Sequence, residues 1–496
     1  ELYQQDHRQD QSSAQVIVLQ FKQSRRGLQL CLCLRVRRVC LRLRRGREVA
    51  MNILDRVKSW FEAHQPLTSG IYSYQTPPDR SQQFRLHLRV EKDGHGVLLI
   101  NAAKMLHLNQ TATELASMIL QEKTAEEAAR ELGQRYQVNH ATAVADFEEL
   151  RDTIWRIAEA GEEVCPVTYL DVSRIEPMSA EISAPYRMDL ALTYRCQNDC
   201  PHCYVARPKG FPEISTKEWK QVIDRCWDLG IPHLTFTGGE ATLRPDLVEL
   251  VQYAEDVGLI TGLQTNGRKL RDRAYLDELL LAGLDHIQIT LESHDAAIHD
   301  QMVGVEGAWA ETVEGIKTVV DADVYMMTNT TMTTENVGGI EKTIAFVASL
   351  GVPTFGCNSL IYSGSAVAVG SGIAESELGP ILDRVKEATE AASMRLIWYT
   401  PTQYCEFDPV GRELGIKGCT AARYNMCVEP NGDVLPCQSY FVSLGNILTE
   451  PWEAIWDHEL ARYLRNRDFM MEKCYDCPDH VLCGGGCPLY AQHHEQ

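Results

Sequence analysis

Residues 192–208, LTYRCQNDCPHCYVARP, carry Cys196, Cys200 and Cys203 in close succession, and an aromatic residue, Tyr204, follows the last of them. Three thiols crowded into one loop are a donor set for a metal rather than a packing unit. A structural zinc site takes four ligands, usually from two C-x₂₋₄-C pairs. No partner pair stands near this loop, although a distant cysteine could supply a fourth thiolate. A set of three suits an iron–sulfur cluster whose fourth iron is left open for another ligand.

The chain has 17 cysteines and a formal charge of −20. No signal peptide precedes them, so metal or redox chemistry in a cytoplasmic setting is expected rather than a disulfide framework. The acidic balance argues against a nucleic-acid binder, because phosphate neutralisation needs Lys/Arg surfaces. No apolar run approaches a membrane span. The charge is uneven: residues 1–50 hold ten Arg and one Lys against four acids, a net +7 that leaves −27 for the rest. This head has neither a helical nor a strand period. It reads as translated upstream sequence or a disordered arm, with Met51 as the natural start.

The elements that must position the three thiols are legible further on. Six apolar runs (MDLALTY, HLTFTGG, LITGLQTNG, HIQITLES, VYMMTNTTM and PTFGCNSLI) recur from residue 187 with room for helices between them. One such helix starts at Ser215, with Glu218 completing a capping box. Strands alternating with helices imply a parallel sheet, here a full or partial β/α barrel. Barrel chemistry sits at the C-terminal ends of strands, which is where the three-cysteine loop falls. Upstream, FRLHLRV (84–90) alternates like a half-buried strand, and GVLLI is its hairpin partner. Three helices follow. Thr111 with Glu114 and Thr124 with Glu127 fit capping boxes, and Val144, Phe147, Leu150, Ile154 and Ile157 line one face of the third.

The C-x₃-C-x₂-C spacing with Tyr204 resembles the radical S-adenosylmethionine (radical SAM) superfamily. The resemblance implies an α/β fold with a partial (β/α)6 barrel, and Cys196, Cys200 and Cys203 as catalytic ligands of a [4Fe–4S] cluster. The open iron would bind S-adenosyl-L-methionine, which one electron cleaves to methionine and a 5′-deoxyadenosyl radical. Gly238-Gly239-Glu240 matches the stretch that holds the cofactor's methionine amino group; glycines there let the backbone approach a ligand. Thr265-Asn266-Gly267 and Thr290-Leu291-Glu292 resemble the ribose-side positions. Cofactor binding is thus implied for Tyr204, Gly238, Gly239, Glu240, Thr265, Asn266, Thr290 and Glu292. Asn358 and Gly364-Ser365-Ala366 match the sixth-strand region. One departure stands at Val303 in HDQMVG, where related maturases carry an Arg.

Residues 419–437 and 474–487 resemble the SPASM auxiliary-cluster domain, with Cys419, Gly432, Cys437, Cys474, Cys477, Cys483 and Cys487 in matching positions. By that resemblance Cys419, Cys437 and Cys487 hold one auxiliary iron–sulfur cluster, with Cys405, or else Cys427, as the fourth ligand. Cys474, Cys477 and Cys483 hold a second, whose usual last cysteine is missing. His493, His494 or Glu495 could close that site, Cys427 could be recruited, or it stays open. Cys165, Cys226 and Cys357 fit buried small residues.

The 84–160 region resembles the PqqD-like peptide-chaperone domain, a small winged-helix-like α+β unit that takes a leader peptide as an added strand, here on FRLHLRV. The implied organisation is a head (1–50), a PqqD-like domain (51–165), a linker (166–185), a radical SAM core (186–400) and a SPASM domain (401–496). The implied activity is radical crosslinking, epimerisation or oxidation of a ribosomally made peptide precursor with a leader. A low-potential donor such as flavodoxin or ferredoxin would supply electrons. The alternatives are an oxidase acting on a sulfatase-type protein or a tetrapyrrole precursor, and an iron–sulfur electron carrier with a peptide-binding arm.

Overall fold

The computed structural model describes residues 18–24, 27–34, 37–41, 67–77, 83–101, 104–136, 138–159 and 181–494. In the head, the strands β1 (Val18–Ser24), β2 (Gly27–Leu34) and β3 (Arg37–Leu41) pair antiparallel in order. The strand pairing there departs from the absence of any period in that sequence.

The next layer is a four-stranded antiparallel sheet in chain order: β4 (Gly70–Gln75), β5 (Arg85–Val90), β6 (Gly96–Ile100) and β7 (Lys104–Leu108). The expected hairpin is its centre, and β4 and β7 extend it. Leu86, Leu88, Leu98 and Ile100 are fully buried. Three helices follow, α1 (Gln110–Leu120), α2 (Ala125–Arg135) and α3 (His140–Glu159); α1 packs on the sheet and α3 on α1. The capping box at Thr124 and Glu127 forms, each residue's side chain bonding the other's backbone N–H. The one expected at Thr111 does not. Asn109 caps α1 by accepting from the Ala112 N–H at 2.9 Å, and Glu114 is buried. An Asn side chain at the N-cap meets the third amide of the helix as a Thr would.

The six expected strands form as β8 (Arg187–Thr193), β9 (His233–Gly238), β10 (Ile260–Thr265), β11 (His286–Thr290), β12 (Tyr325–Met332) and β13 (Thr354–Ser359), parallel and neighbouring in sequence order. Helices alternate with them, beginning with α4 (Thr216–Asp228), whose Ser215–Glu218 capping box is complete. The sheet is wider than six strands. A seventh parallel strand, β14 (Arg395–Trp398), joins β13, and β15 (Asn425–Val428) adds parallel to β8 with β16 (Val434–Leu435) antiparallel beyond it. A strand of two residues such as β16 carries too little pattern to be read in sequence. One apolar core runs from Met188 and Phe236 through Trp398 to Val428 and Trp452, so the C-terminal region shares the barrel's interior.

The antiparallel layer is clamped to residues that directly precede barrel strands. Arg85 pairs with Glu255 and Asp285 and donates to Leu259 O. His87 Nε2 meets Gly258 O at 2.8 Å, and the buried Arg89 donates to Ala184 O and Pro185 O at 3.0 Å and pairs with Glu91. Residues 181–185, the described end of the expected linker, are therefore packed: Ser183 binds Glu91, and its carbonyl accepts from the Trp452 indole. This layer sits on the N-terminal side of the barrel, away from the three thiols.

Burial holds the imidazoles of His87 and His286 at pKa values of about 4, below the ordinary 6.5. The folded chain thus keeps both neutral where the unfolded chain would bind protons. Their contribution is intact above pH 6.5 and is lost as pH falls toward 4, on the order of 3 kcal/mol each at most. Thermal unfolding midpoints should fall over that window, and less so in His87→Gln.

Candidate functional site

The loop after β8 carries Cys196, Cys200 and Cys203, all partly buried and unpaired. Among the described residues no three His, Cys, Asp or Glu side chains converge on one metal-ion position; the three thiols are instead electrostatic neighbours. Burial, then Glu240 and Cys203, pushes the Cys196 thiol up to about 11. Burial, Cys203, Glu292 and Cys196 push Cys200 up, and burial raises Cys203. Such thiols gain from a cation that replaces their protons. Sulfur acceptors are already supplied with N–H donors, Asn198 N to Cys196 Sγ at 3.4 Å and Asn266 Nδ2 at 4.0 Å. The donor set fits a cluster.

Strand ends build the floor. Gly238 has φ 133°, and a Cβ there would lie 2.2 Å from Thr193 O; one on Gly239 would lie 2.6 Å from Arg195 O. The tips of β8 and β9 cross in contact, joined by Gly239 N to Thr193 O at 2.7 Å and Glu240 N to Arg195 O at 2.9 Å. Only glycine fits there. Glu240 is buried, and its carboxylate accepts from Thr242 N and Oγ1, Thr265 Oγ1 and Asn266 N at 2.7–3.1 Å. Its side chain ties β9 to β10 with four neutral donors.

Asn266 reaches the thiol loop through Gln197 Nε2 at 3.1 Å. Thr290 ends β11 half-buried. Glu292 is 1% exposed and meets His202, between Cys200 and Cys203, at 3.1 Å while accepting from Thr331 N. Burial opposes charge on His202, yet Glu292 outweighs it, so the imidazole pKa lies above its ordinary value. His202 was not singled out in the sequence; a histidine between two ligands signals nothing until its partner is known. Tyr204 is half-buried, its hydroxyl beside Thr237, with burial and then Cys203 raising its pKa. Gly364, at φ 59°, and Ala366 rest on the same loop, Ala366 N donating to Cys203 O at 3.2 Å. At the departure from the maturase pattern, Val303 is buried and its carbonyl accepts from Asp199 N at 2.9 Å. Asn358 bonds Asn329 at 2.8 Å.

The C-terminal cysteines fall into two groups. The Cys419 thiol is pushed up by burial, then by Cys487 and Cys437, and that of Cys437 by burial and Cys487. Cys405 lies instead beside Cys474, and Cys483 feels both of them. Cys427 is fully buried among Ala191, Tyr194 and Leu435, with Cys437 a neighbour. Near Cys487 stands Glu375, which sequence reading missed. It is 2% exposed, Oε2 accepts from Gln403 N at 2.7 Å, and burial pushes its pKa up to about 7. Cys226 and Cys357 are core residues as expected, and Cys165 and Glu495 lie outside the described residues.

Replacing Glu240 with Gln puts an amide donor against one of those four donors. Urea unfolding should show a loss of about 1–3 kcal/mol.

Family profiles match three regions of the chain. The radical SAM superfamily profile matches residues 190–347, an iron–sulfur cluster-binding SPASM domain 419–478, and coenzyme PQQ synthesis protein D (PqqD) 96–154. The PqqA peptide cyclase of Rhizobium meliloti is 30% identical over 62% of this chain and 84% of its own length. The AdoMet-dependent heme synthase of Methanosarcina barkeri is 29% identical over 62% and 93%. The crystal structure of Streptococcus suis SuiB bound to precursor peptide SuiA superposes with TM-score 0.60 at 16% identity, covering 81% of this chain and 94% of that one. With a cyclase relative matched over most of its length and an open three-thiol loop at the head of its barrel, the chain belongs to the radical SAM superfamily, as a SPASM-bearing enzyme that uses a [4Fe–4S] cluster and S-adenosylmethionine.

Proposed function

We propose that this enzyme modifies a ribosomally made peptide by crosslinking, epimerisation or oxidation. The observation that carries the reading is the PqqD-type layer, fixed by buried polar contacts to one side of a barrel whose other side carries the open thiol loop. Cys196, Cys200 and Cys203 would hold the catalytic cluster, and Cys419, Cys437, Cys487 and the 474–483 thiols the auxiliary ones. When bound, that catalytic cluster supplies the electron that splits S-adenosylmethionine into methionine and a 5′-deoxyadenosyl radical. Gly238 and Gly239 keep the backbone low at the strand tips, leaving room for a ligand. Glu240 and Asn266 hold the floor still, and Glu292 pins the loop through His202. A flavodoxin- or ferredoxin-like donor in the cytoplasm would supply electrons. Replacing the three loop cysteines with Ala should abolish anaerobic formation of 5′-deoxyadenosine; undiminished cleavage would remove them from the catalytic role.

The fold supports one route for a peptide. Strand addition to 85–90, as expected from sequence, is blocked, because β5 pairs with both β4 and β6. The sheet's edges among the described residues are β4 and β7. Ser73 of β4 lies against Gly258 of the barrel, whereas β7 carries the exposed Met105. A leader segment would add to β7. It would be held on the N-terminal side of six-residue strands such as β9, with the chemistry at their C-terminal ends. Crossing that length, about 20 Å, takes at least about six extended residues between captured segment and target. In a precursor series, spacers shorter than that should lose turnover by mass spectrometry while binding stays unchanged. A Met105→Asp variant should weaken binding several-fold.

The kinship to a heme synthase supports a second reading, a tetrapyrrole substrate. Turnover of a tetrapyrrole precursor by a variant lacking residues 67–159, with no precursor peptide modified by the full chain, would favour it.

A further inference from the structure

Cys474, Cys477 and Cys483 offer three thiols to a second SPASM cluster, and the fold brings another thiol to that place. Residues 402–405 run against the Cys483–Gly486 turn. The Tyr404 N–H donates to Cys483 Sγ at 3.3 Å, and Cys483 Sγ donates to Thr402 O at 3.7 Å. A Cβ on Gly486 would stand 3.0 Å from Gln403 N and Thr402 C. Gly484, Gly485 and Gly486 all have positive φ, 62°, 82° and 76°, so three consecutive left-handed residues make the turn that admits this segment. Cys474 and Cys477 share one helical turn, Cys477 N donating to Cys474 O at 3.2 Å.

We infer that Cys405, Cys474, Cys477 and Cys483 form one four-thiolate set that holds the second auxiliary cluster. The inference rests on the reading of the C-terminal region as cluster-binding. Cys405 is exposed, so apolar packing gives it no other reason for its position.

The other candidates are committed elsewhere. His493 stacks on Tyr362 at 4.2 Å, and His494 stacks on Tyr490 at 3.9 Å while bonding the Tyr490 carbonyl. Cys427 is sealed in the core on β15. Cys419, Cys437 and Cys487 remain a separate group of three, to which Cys405 does not belong.

The test is anaerobic reconstitution of the full chain, followed by iron and sulfide counting and Mössbauer spectroscopy. Wild type, Cys405→Ser, Cys474→Ser, Cys419→Ser and the doubles of Cys405→Ser with each of the others are compared. Cys405→Ser should lose about four irons, or about one with a [3Fe–4S] signature. The double with Cys474→Ser should lose no more than Cys474→Ser alone, while the double with Cys419→Ser should lose a further cluster. Cys405→His should keep the iron with an altered Mössbauer signature, which a merely structural role would not produce. Full iron and unchanged spectra in Cys405→Ser, or losses shared with Cys419→Ser rather than Cys474→Ser, overturn the assignment. A wild type that takes up only the catalytic cluster overturns the cluster-binding reading itself, and is told apart because it appears before any variant is compared.

Discussion

Everything at the site depends on the contact between the tips of β8 and β9. Two backbone hydrogen bonds join Gly239 and Glu240 to Thr193 and Arg195, and a methyl group on either glycine would collide with a carbonyl oxygen. The thiol loop starts at that crossing, so its first ligand, Cys196, takes its position from it. Glu240 then carries the constraint sideways. A buried carboxylate with four neutral donors is well satisfied without a cation, and those donors come from its own turn and from the end of β10. The expected role of this acid, meeting a positive group, is thus joined by a structural one: it keeps two strand ends in register under the loop.

The second support comes from the fourth strand. Glu292 and His202 form a nearly dry pair between β11 and the middle of the thiol loop. Such a pair costs desolvation and returns position. Between them, Glu240 and Glu292 hold the loop from two sides, and the carbonyl of Val303 and the amide of Ala366 hold its backbone from two more. The loop's main chain is bonded to neighbouring segments at Asp199 and Cys203. That leaves the thiols free for metal.

At the other end of the strands, polar groups do the joining beside a small apolar cluster of Val97, Leu99 and Tyr186. Arg85, His87 and Arg89 lie on a single strand and reach backbone carbonyls just before β8, β9 and β10. An arginine with 2% exposure is expensive unless its donors are met; Arg89 meets Ala184, Pro185 and Glu91 and lies over the Tyr186 ring, while its Nη2 finds no hydrogen-bond partner among the described residues. The geometry specifies an orientation, which a greasy contact would not. A substrate held on that layer faces the chemistry only across the depth of the barrel.

Local pattern determined the parallel sheet, its six long strands, the three helices upstream and the thiol loop at a strand's C-terminal end. Each of these is written in period, spacing or turn chemistry within about ten residues. Three things were decided only in three dimensions. Whether FRLHLRV was an edge depended on β4, whose weak GIYSYQ pattern gave no notice of pairing. The partners of Glu240, Glu292 and His202 come from strands 25 to 90 residues apart, and hydrogen bonds across such separations leave no periodic trace. Which cysteines stand together was set by the turn of three left-handed glycines that admits residues 402–405 beside Cys483. A cysteine's spacing announces that it binds metal, but its cluster is chosen by where the chain returns.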